Sequence, residues 1–114
     1  RGSVIIVLAT DLPLESRQLN RVARRCGAGL ARLGAFWGHG SGDIAVAFST
    51  GGRIAHHETA DLLPMTMLNE SRIDLPFRAA AEATQEAVLN AMLAAPAVIG
   101  RDGHSRPSLA DALS

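Results

Sequence analysis

The first hydrophobic segment is a continuous run of apolar and β-branched residues over residues 4–10, and it ends at the turn signal of residues 11–13. A run without alternating polar residues is typical of a β-strand that is covered on both faces. Residues 14–33 then carry apolar side chains at helical spacing, with Pro13 near the first turn and Gly34 as a stop. These patterns predict a buried strand followed by an amphipathic helix.

A glycine-rich loop, residues 34–42, joins this helix to the next segment and contains Phe36, Trp37 and His39. Glycine allows left-handed backbone angles and a close approach of other groups. Residues 43–50 are mostly apolar and are followed by two glycines, which predicts a second strand. The loop therefore delivers its polar residues to the start of a strand.

The second half of the chain has a less regular pattern. Residues 53–74 are mixed, and a short strand over residues 54–57 is one interpretation of them. Residues 76–95 repeat apolar side chains on one face between two prolines, which predicts a second helix. Residues 101–114 are polar and rich in turn formers, so we expect a loop or tail over residues 105–114.

The order of strand, helix, strand and helix predicts an α/β or α+β fold in a single unit over residues 1–114. Two or three strands make a thin sheet, and the apolar first strand needs neighbours on both faces. We therefore expect strands from an upstream part of a longer polypeptide to complete the fold. The chain begins with arginine instead of methionine, and we interpret it as a piece cut from a longer product.

Composition narrows the range of partners. The 11 basic and 11 acidic residues cancel, so no net charge attracts nucleic acid or an anionic membrane. The apolar runs are too short or too interrupted to span a bilayer.

Cys26 is the single cysteine, which excludes an internal disulfide and favours the cytoplasm over the periplasm without deciding between them. Its position on the apolar stripe of the first helix indicates a buried, inert thiol.

A glycine-serine pair, Gly2-Ser3, stands directly before the first strand. A serine hydroxyl in this place could attack the preceding carbonyl, where glycine gives the least steric hindrance. Hydrolysis of the resulting ester would leave an α-amine that titrates near ~7.7–8.0 and can act as a general base. By spacing alone, such a pair is also an ordinary turn into a strand, and both interpretations stay open.

Several segments in a fixed order carry a family resemblance, and they are residues 2–14, 18–19, 23–25, 29–32, 40–44, 47–50, 83–84, 86–87 and 100–103. In order and spacing they resemble the β chain of the L-aminopeptidase/D-esterase family, which includes the β-peptidyl aminopeptidases. The resemblance covers roughly residues 2–104. In that family a precursor cuts itself before a serine, and the two fragments stay together in an αββα sandwich. The sandwich is shared with the ornithine acetyltransferases and is similar to that of N-terminal nucleophile hydrolases.

This resemblance implies a cleavage site between Gly2 and Ser3 and a catalytic site of Ser3, Ser41 and Asp43. Ser3 would be the nucleophile, and the other two would hydrogen-bond its amine and hydroxyl and hold them in a reactive geometry. Asp43 departs from the glutamate of β-peptidyl members and reaches one methylene less far, which puts a preference for β-peptides in question. The family's oxyanion-stabilising asparagine belongs to the α chain, so we expect this chain alone to be inactive.

The function that the resemblance implies is a serine aminopeptidase that hydrolyses N-terminal residues of small peptides, amides or esters. The expected partners are the α chain of the same precursor and further copies of the αβ unit in a homo-oligomer, and no cofactor is expected. Two alternatives stay open. One is acyl transfer of the ornithine acetyltransferase type, whose nucleophile at that position is threonine. The other is a structural or binding half of the same fold without catalysis.

The role of the aromatic residues in the glycine-rich loop has two interpretations. Phe36 and Trp37 could form a substrate wall or pack between subunits, and His39 could line the site or face solvent. The glycines of the loop lack the lysine that follows them in a phosphate loop, so we expect no nucleotide site.

A second cluster of polar residues, His56-His57-Glu58 with Asp61, has the residue types of a metal site. Adjacent histidines project to opposite faces of a strand, however, and no further spacing fits a zinc motif. We therefore expect no metal.

Overall fold

The computed structural model describes residues 2–114, and Arg1 lies outside the described residues. Strand β1, Val4–Thr10, pairs in parallel with strand β2, Asp43–Ser49, and helix α1, Ser16–Ala31, connects them. Parallel strands need such a crossover, because the chain must return to the end of the sheet at which the first strand began before it can start the second. The predicted order of strand, helix and strand is confirmed.

Helix α1 starts two residues later and ends two residues earlier than the predicted residues 14–33. The Glu15 carboxylate accepts hydrogen bonds from the backbone N–H groups of Arg17 and Gln18, each at 2.9 Å. The Gln18 side chain accepts one from the Glu15 N–H at 3.2 Å. This capping box satisfies free donors of the first turn and fixes where the helix starts. Gly34 follows the last turn with φ of 97°, in agreement with the predicted stop.

The core lies between the helices and one face of the sheet. Ile6 and Leu8 from β1 and Ala45 from β2 pack against it. Cys26 is completely buried there, which confirms the predicted buried thiol. The buried members of this core are Leu14, Val22, Cys26, Ile73 and Ala80.

The other face of the sheet, called here the outer face, is apolar and exposed. Its five large side chains are 48% to 75% exposed, so residues 2–114 leave it largely uncovered. From the continuous apolar run of β1 we predicted a strand that is covered on both faces of the sheet. In residues 2–114 helices cover one face only. The described residues therefore form one helical layer on one sheet layer. The outer face consists of Ile5, Val7 and Ala9 of β1 and Ile44, Val46 and Phe48 of β2.

Helix α2 spans Asp74–Ala94, and Pro76 occupies its third position. Proline is tolerated there because N–H groups of the first turn have no partner within the helix. α2 packs on α1 at Gly29, where an added Cβ would overlap the Ala81 carbonyl oxygen and lie 2.9 Å from Thr84 Cβ. The absence of a side chain at this glycine lets the two helices approach closely.

The connection between β2 and α2 contains no strand. Residues 50–67 are exposed throughout, and the strand expected over residues 54–57 is absent. A short apolar segment needs a neighbouring strand to pair with, and these residues pair with neither β1 nor β2. A short 3₁₀ turn, Glu70–Arg72, then leads into α2.

Residues 105–114 are more ordered than the loop or tail that we expected. Strand β3, Val98–Ile99, pairs antiparallel with strand β4, Ser105–Arg106, and the short helix α3, Leu109–Leu113, follows. The Ser108 hydroxyl caps α3 by accepting a hydrogen bond from the Asp111 N–H at 3.0 Å. A serine three residues before an acidic residue signals such a cap. Within residues 2–114, no helix carries an apolar stretch that would cross a bilayer.

Candidate active site

Ser3 lies directly before β1, beside the residues that lead into β2. The parallel register pairs Val4 with Asp43, so the residues before these two also become neighbours. The Gly42 N–H donates a hydrogen bond to Ser3 Oγ at 3.2 Å. Ser3, Ser41 and Asp43 are therefore brought together at one edge of the sheet, where both strands begin.

The three predicted site residues differ in exposure. Ser3 and Ser41 are exposed, and Asp43 is half-buried. Among residues 2–114, the hydrogen bond to Ser3 Oγ comes from the Gly42 backbone, and none joins Ser3 to the Ser41 or Asp43 side chain. Their positioning role stays a prediction.

A cavity of about 580 Å³, called here the acyl cavity, opens beside the strand starts. Gly2 and Val4, which flank Ser3, line it together with Ser41 and Asp43. Its volume lies within the roughly 300–1,000 Å³ of small-molecule sites. The rest of the wall comes from the end of α1 and from the glycine-rich loop, including Leu30, Phe36, Trp37 and His39.

Trp37 has an unusual backbone conformation, with φ of 56°. A bulky residue rarely adopts this left-handed region, which makes the position noteworthy. The indole packs against α1 at Gly27, where an added Cβ would lie 3.0 Å from Trp37 Cζ2. The sequence did not predict this contact, although the glycine in mid-helix was a signal of close packing.

The main ion pairs lie at the other end of α1. The Glu70 carboxylate is 2.7 Å from Arg17 Nη2 and 2.7 Å from Arg21 Nη1. Hydrogen bonds from Arg17 and then from Gln18 hold the pKa of Glu70 below its ordinary value. The same carboxylate raises the pKa of Arg17. This network joins the first turns of α1 to the turn before α2 and has a structural role.

The histidine pair lies in the exposed segment after β2. The rings of His56 and His57 contact each other edge to face, with centroids 4.6 Å apart. The strand geometry that would separate them is absent. In the part of the chain that the structure describes, no group of three or more His, Cys, Asp or Glu residues is arranged to hold a metal ion.

The model of Peptidase family S58 matches residues 1–106 of the chain. The chain belongs to Peptidase family S58. Over 104 residues it is 38% identical to the β-peptidyl aminopeptidase BapA of Sphingosinicella microcystinivorans, which covers 91% of this chain and 26% of that relative. The chain thus spans about a quarter of the length of the curated relatives it matches.

Solved structures of similar proteins share the fold of this chain over the part that it matches. The PH0078 protein from Pyrococcus horikoshii OT3 is 50% identical, with a TM-score of 0.86 over 92% of this chain and 30% of the other. An L-aminopeptidase D-Ala-esterase/amidase from Ochrobactrum anthropi is 45% identical, with a TM-score of 0.77 over 86% of this chain and 27% of the other. That enzyme is described as a prototype for the serine aminopeptidases and a new variant of the N-terminal nucleophile hydrolase fold. The predicted family and the mixed α/β fold are confirmed, and the described residues supply one part of that fold.

Proposed function

We propose that this chain is the nucleophile-bearing part of a serine aminopeptidase, and that Ser3 is set free by self-cleavage of the Gly2–Ser3 bond. The observation that supports this most directly is the 3.2 Å hydrogen bond from the Gly42 N–H to Ser3 Oγ, at the edge where β1 and β2 begin. Membership of Peptidase family S58 and the aminopeptidase names of relatives support the reaction class.

Self-cleavage starts when Ser3 Oγ attacks the carbonyl carbon of Gly2. The Gly2–Ser3 amide bond breaks, the hydroxyl proton passes to the departing Ser3 nitrogen, and an ester links Gly2 to Ser3 Oγ. Water then hydrolyses the ester and leaves a Gly2 carboxylate, a free Ser3 hydroxyl and a free α-amine. The Gly42 N–H supports this step, since a fixed donor holds Oγ in one orientation beside its target.

Substrate hydrolysis repeats the same chemistry between molecules. The Ser3 α-amine takes the hydroxyl proton while Oγ attacks the carbonyl of the substrate's N-terminal residue. The leaving amine carries the proton away, and the acyl residue stays on Ser3 as an ester until water releases it. In this proposal Ser41 and Asp43 hold the α-amine and hydroxyl of Ser3 in line for the attack.

The α chain of the same precursor is the proposed partner for the outer face. Five large apolar side chains with 48% to 75% exposure form a continuous patch on paired strands. Patches of this kind mark interaction surfaces, because leaving them in water is unfavourable. A second sheet on this face, backed by a helical layer of its own, would turn one helical and one sheet layer into the αββα sandwich. A homo-oligomer of such units is part of the same proposal.

The test uses the full-length processed protein and amino-acid p-nitroanilides. After acid quenching during turnover, the fragment that begins at Ser3 is expected to gain the mass of the acyl residue. The Ser3→Ala chain is expected to stay uncut and to show neither the adduct nor the release of p-nitroaniline, whereas Ser16→Ala, a change at an exposed serine at the start of α1, should be processed and leave both unchanged. Turnover without an adduct at Ser3 would contradict the nucleophile. Acyl transfer to ornithine without hydrolysis would favour the acetyltransferase alternative.

A further inference from the structure

We propose that Trp37 is a specificity-determining residue, whose indole forms one wall of the pocket for the side chain of the residue transferred to Ser3. The inference rests on the proposed function and adds a substrate class to it: peptides, amides or esters with an apolar N-terminal residue. The size of residue 37 then limits the size of that side chain.

Gly2 marks the place that the transferred residue occupies. In self-cleavage Gly2 supplies the carbonyl that Ser3 attacks, and in turnover the N-terminal residue of the substrate takes its place. Gly2 lines the acyl cavity, and a Cβ added to it would meet no atom within 4 Å. The acyl position therefore has room for a side chain, which extends into a cavity of about 580 Å³.

Part of the lining of the acyl cavity is apolar and comes from Leu30, Phe36 and Trp37. A substrate side chain that packs against these residues is removed from water. Burial of apolar surface is favourable in proportion to its area, whereas a buried charge without a partner is costly. This part of the lining favours leucine or phenylalanine at the N-terminus of a substrate over aspartate or lysine.

Trp37 lines both the acyl cavity and a second space, and Leu30 and Asp43 also line both. A cavity of about 450 Å³ lies between α1 and β2, and it is lined by Trp37 together with Gly27, Ala23 and Ala45. Gly27 lines this second cavity and is absent from the acyl cavity. The indole packs against Gly27, with the Trp37 backbone at φ of 56°, and contributes to the lining of both spaces. Truncation of the indole would therefore enlarge the space available beside the acyl position.

The experiment measures kcat/KM of the full-length processed protein for phenylalanine and alanine p-nitroanilides and takes their ratio. Trp37→Ala should raise this phenylalanine-to-alanine ratio by about tenfold or more, the scale on which pocket size discriminates side chains. Gly27→Ala should lower it, because the added methyl group pushes the indole toward the acyl cavity. Gly27→Ala should have no further effect in a Trp37→Ala background. Leu62→Ala, which truncates an 89% exposed side chain outside both cavities, is the matched control and should leave the ratio unchanged.

The outcomes separate this inference from the function on which it rests. A ratio within about twofold of wild type in a fully processed Trp37→Ala protein would overturn the inference alone. An equal effect of Gly27→Ala with and without Trp37 would do the same. If Trp37→Ala is not processed, Trp37→Phe and Gly27→Ala decide, and an unchanged ratio in both overturns the inference. If wild type hydrolyses no anilide, the proposed function falls, and the inference falls with it.

Discussion

The contact between the two long helices at Gly29 offers a sharp test of how the helical layer is built. At Gly29 an added Cβ would overlap the Ala81 carbonyl oxygen and lie 2.9 Å from Thr84 Cβ. A backbone carbonyl cannot move aside by changing rotamer, so Gly29→Ala must push α2 away from α1. Gly27→Ala, two residues earlier in the same helix, instead meets the tip of the exposed Trp37 side chain, which can yield.

The expected magnitudes follow from two opposing effects. Replacing a glycine within a helix by alanine stabilises by about 0.5–1 kcal/mol. Overpacking costs about 1–3 kcal/mol, and contact with a backbone atom places Gly29→Ala near the upper end. We expect Gly29→Ala to lose about 2 kcal/mol in the free energy of unfolding and Gly27→Ala to gain up to about 1 kcal/mol.

The two variants are matched, because both change glycine to alanine in α1 and gain the same helix propensity. Urea denaturation of the full-length protein, followed by circular dichroism, gives the transition midpoint of each variant and the slope of the transition. With equal slopes, the difference in midpoint reports the packing cost at Gly29 relative to the milder contact that the methyl group of Gly27→Ala makes with Trp37. A Gly29→Ala protein as stable as the Gly27→Ala protein would refute the close helix crossing.

Three further predictions concern the ion pairs, the outer face and the candidate site. The lowered pKa of Glu70 means that its stabilising effect is present above the ordinary glutamate pKa of about 4.3 and fades as pH falls below it. Urea midpoints of wild type and Glu70→Gln should therefore differ at pH 7 and converge in acid, and a constant difference would contradict the ion-pair role. Phe48→Asp should separate the two processed fragments during affinity purification, whereas the exposed control Thr50→Asp should not; fragments that stay together in Phe48→Asp would argue against the outer face as their interface. Asp43→Asn keeps the side-chain size and removes its charge, so processing followed by gel electrophoresis should slow by about tenfold or more, and an unchanged rate would exclude a role for the carboxylate.

Local patterns in the sequence predict those strands and helices whose own residues have a regular spacing of apolar side chains. The apolar run of β1 and the helical spacing of α1 are visible without knowledge of neighbours, and both elements are present in the structure. The strand expected over residues 54–57 failed, because a strand also needs a pairing partner, which a short apolar pattern does not identify. The short helix over Leu109–Leu113 was missed, although the Ser108 cap signals its start.

The candidate site depends on distances that local patterns do not contain. The pairing of Val4 with Asp43 joins segments far apart in the chain, and it sets the Gly42 N–H against Ser3 Oγ. The family resemblance predicted that Ser3, Ser41 and Asp43 belong to one site, and the strand register brings them to one edge. The packing of the Trp37 indole against Gly27 is a tertiary contact between a loop and a helix. Neither residue taken alone in the sequence predicts this contact.

Intact mass spectrometry of the full-length protein beside its Ser3→Ala variant tests the central claim most directly, because it requires no choice of substrate. We predict two fragments in the wild type, the smaller one beginning at Ser3 with a free α-amine, and one uncut chain in the variant. A single uncut chain in both proteins, or cleavage at Gly2–Ser3 that persists in Ser3→Ala, would contradict it.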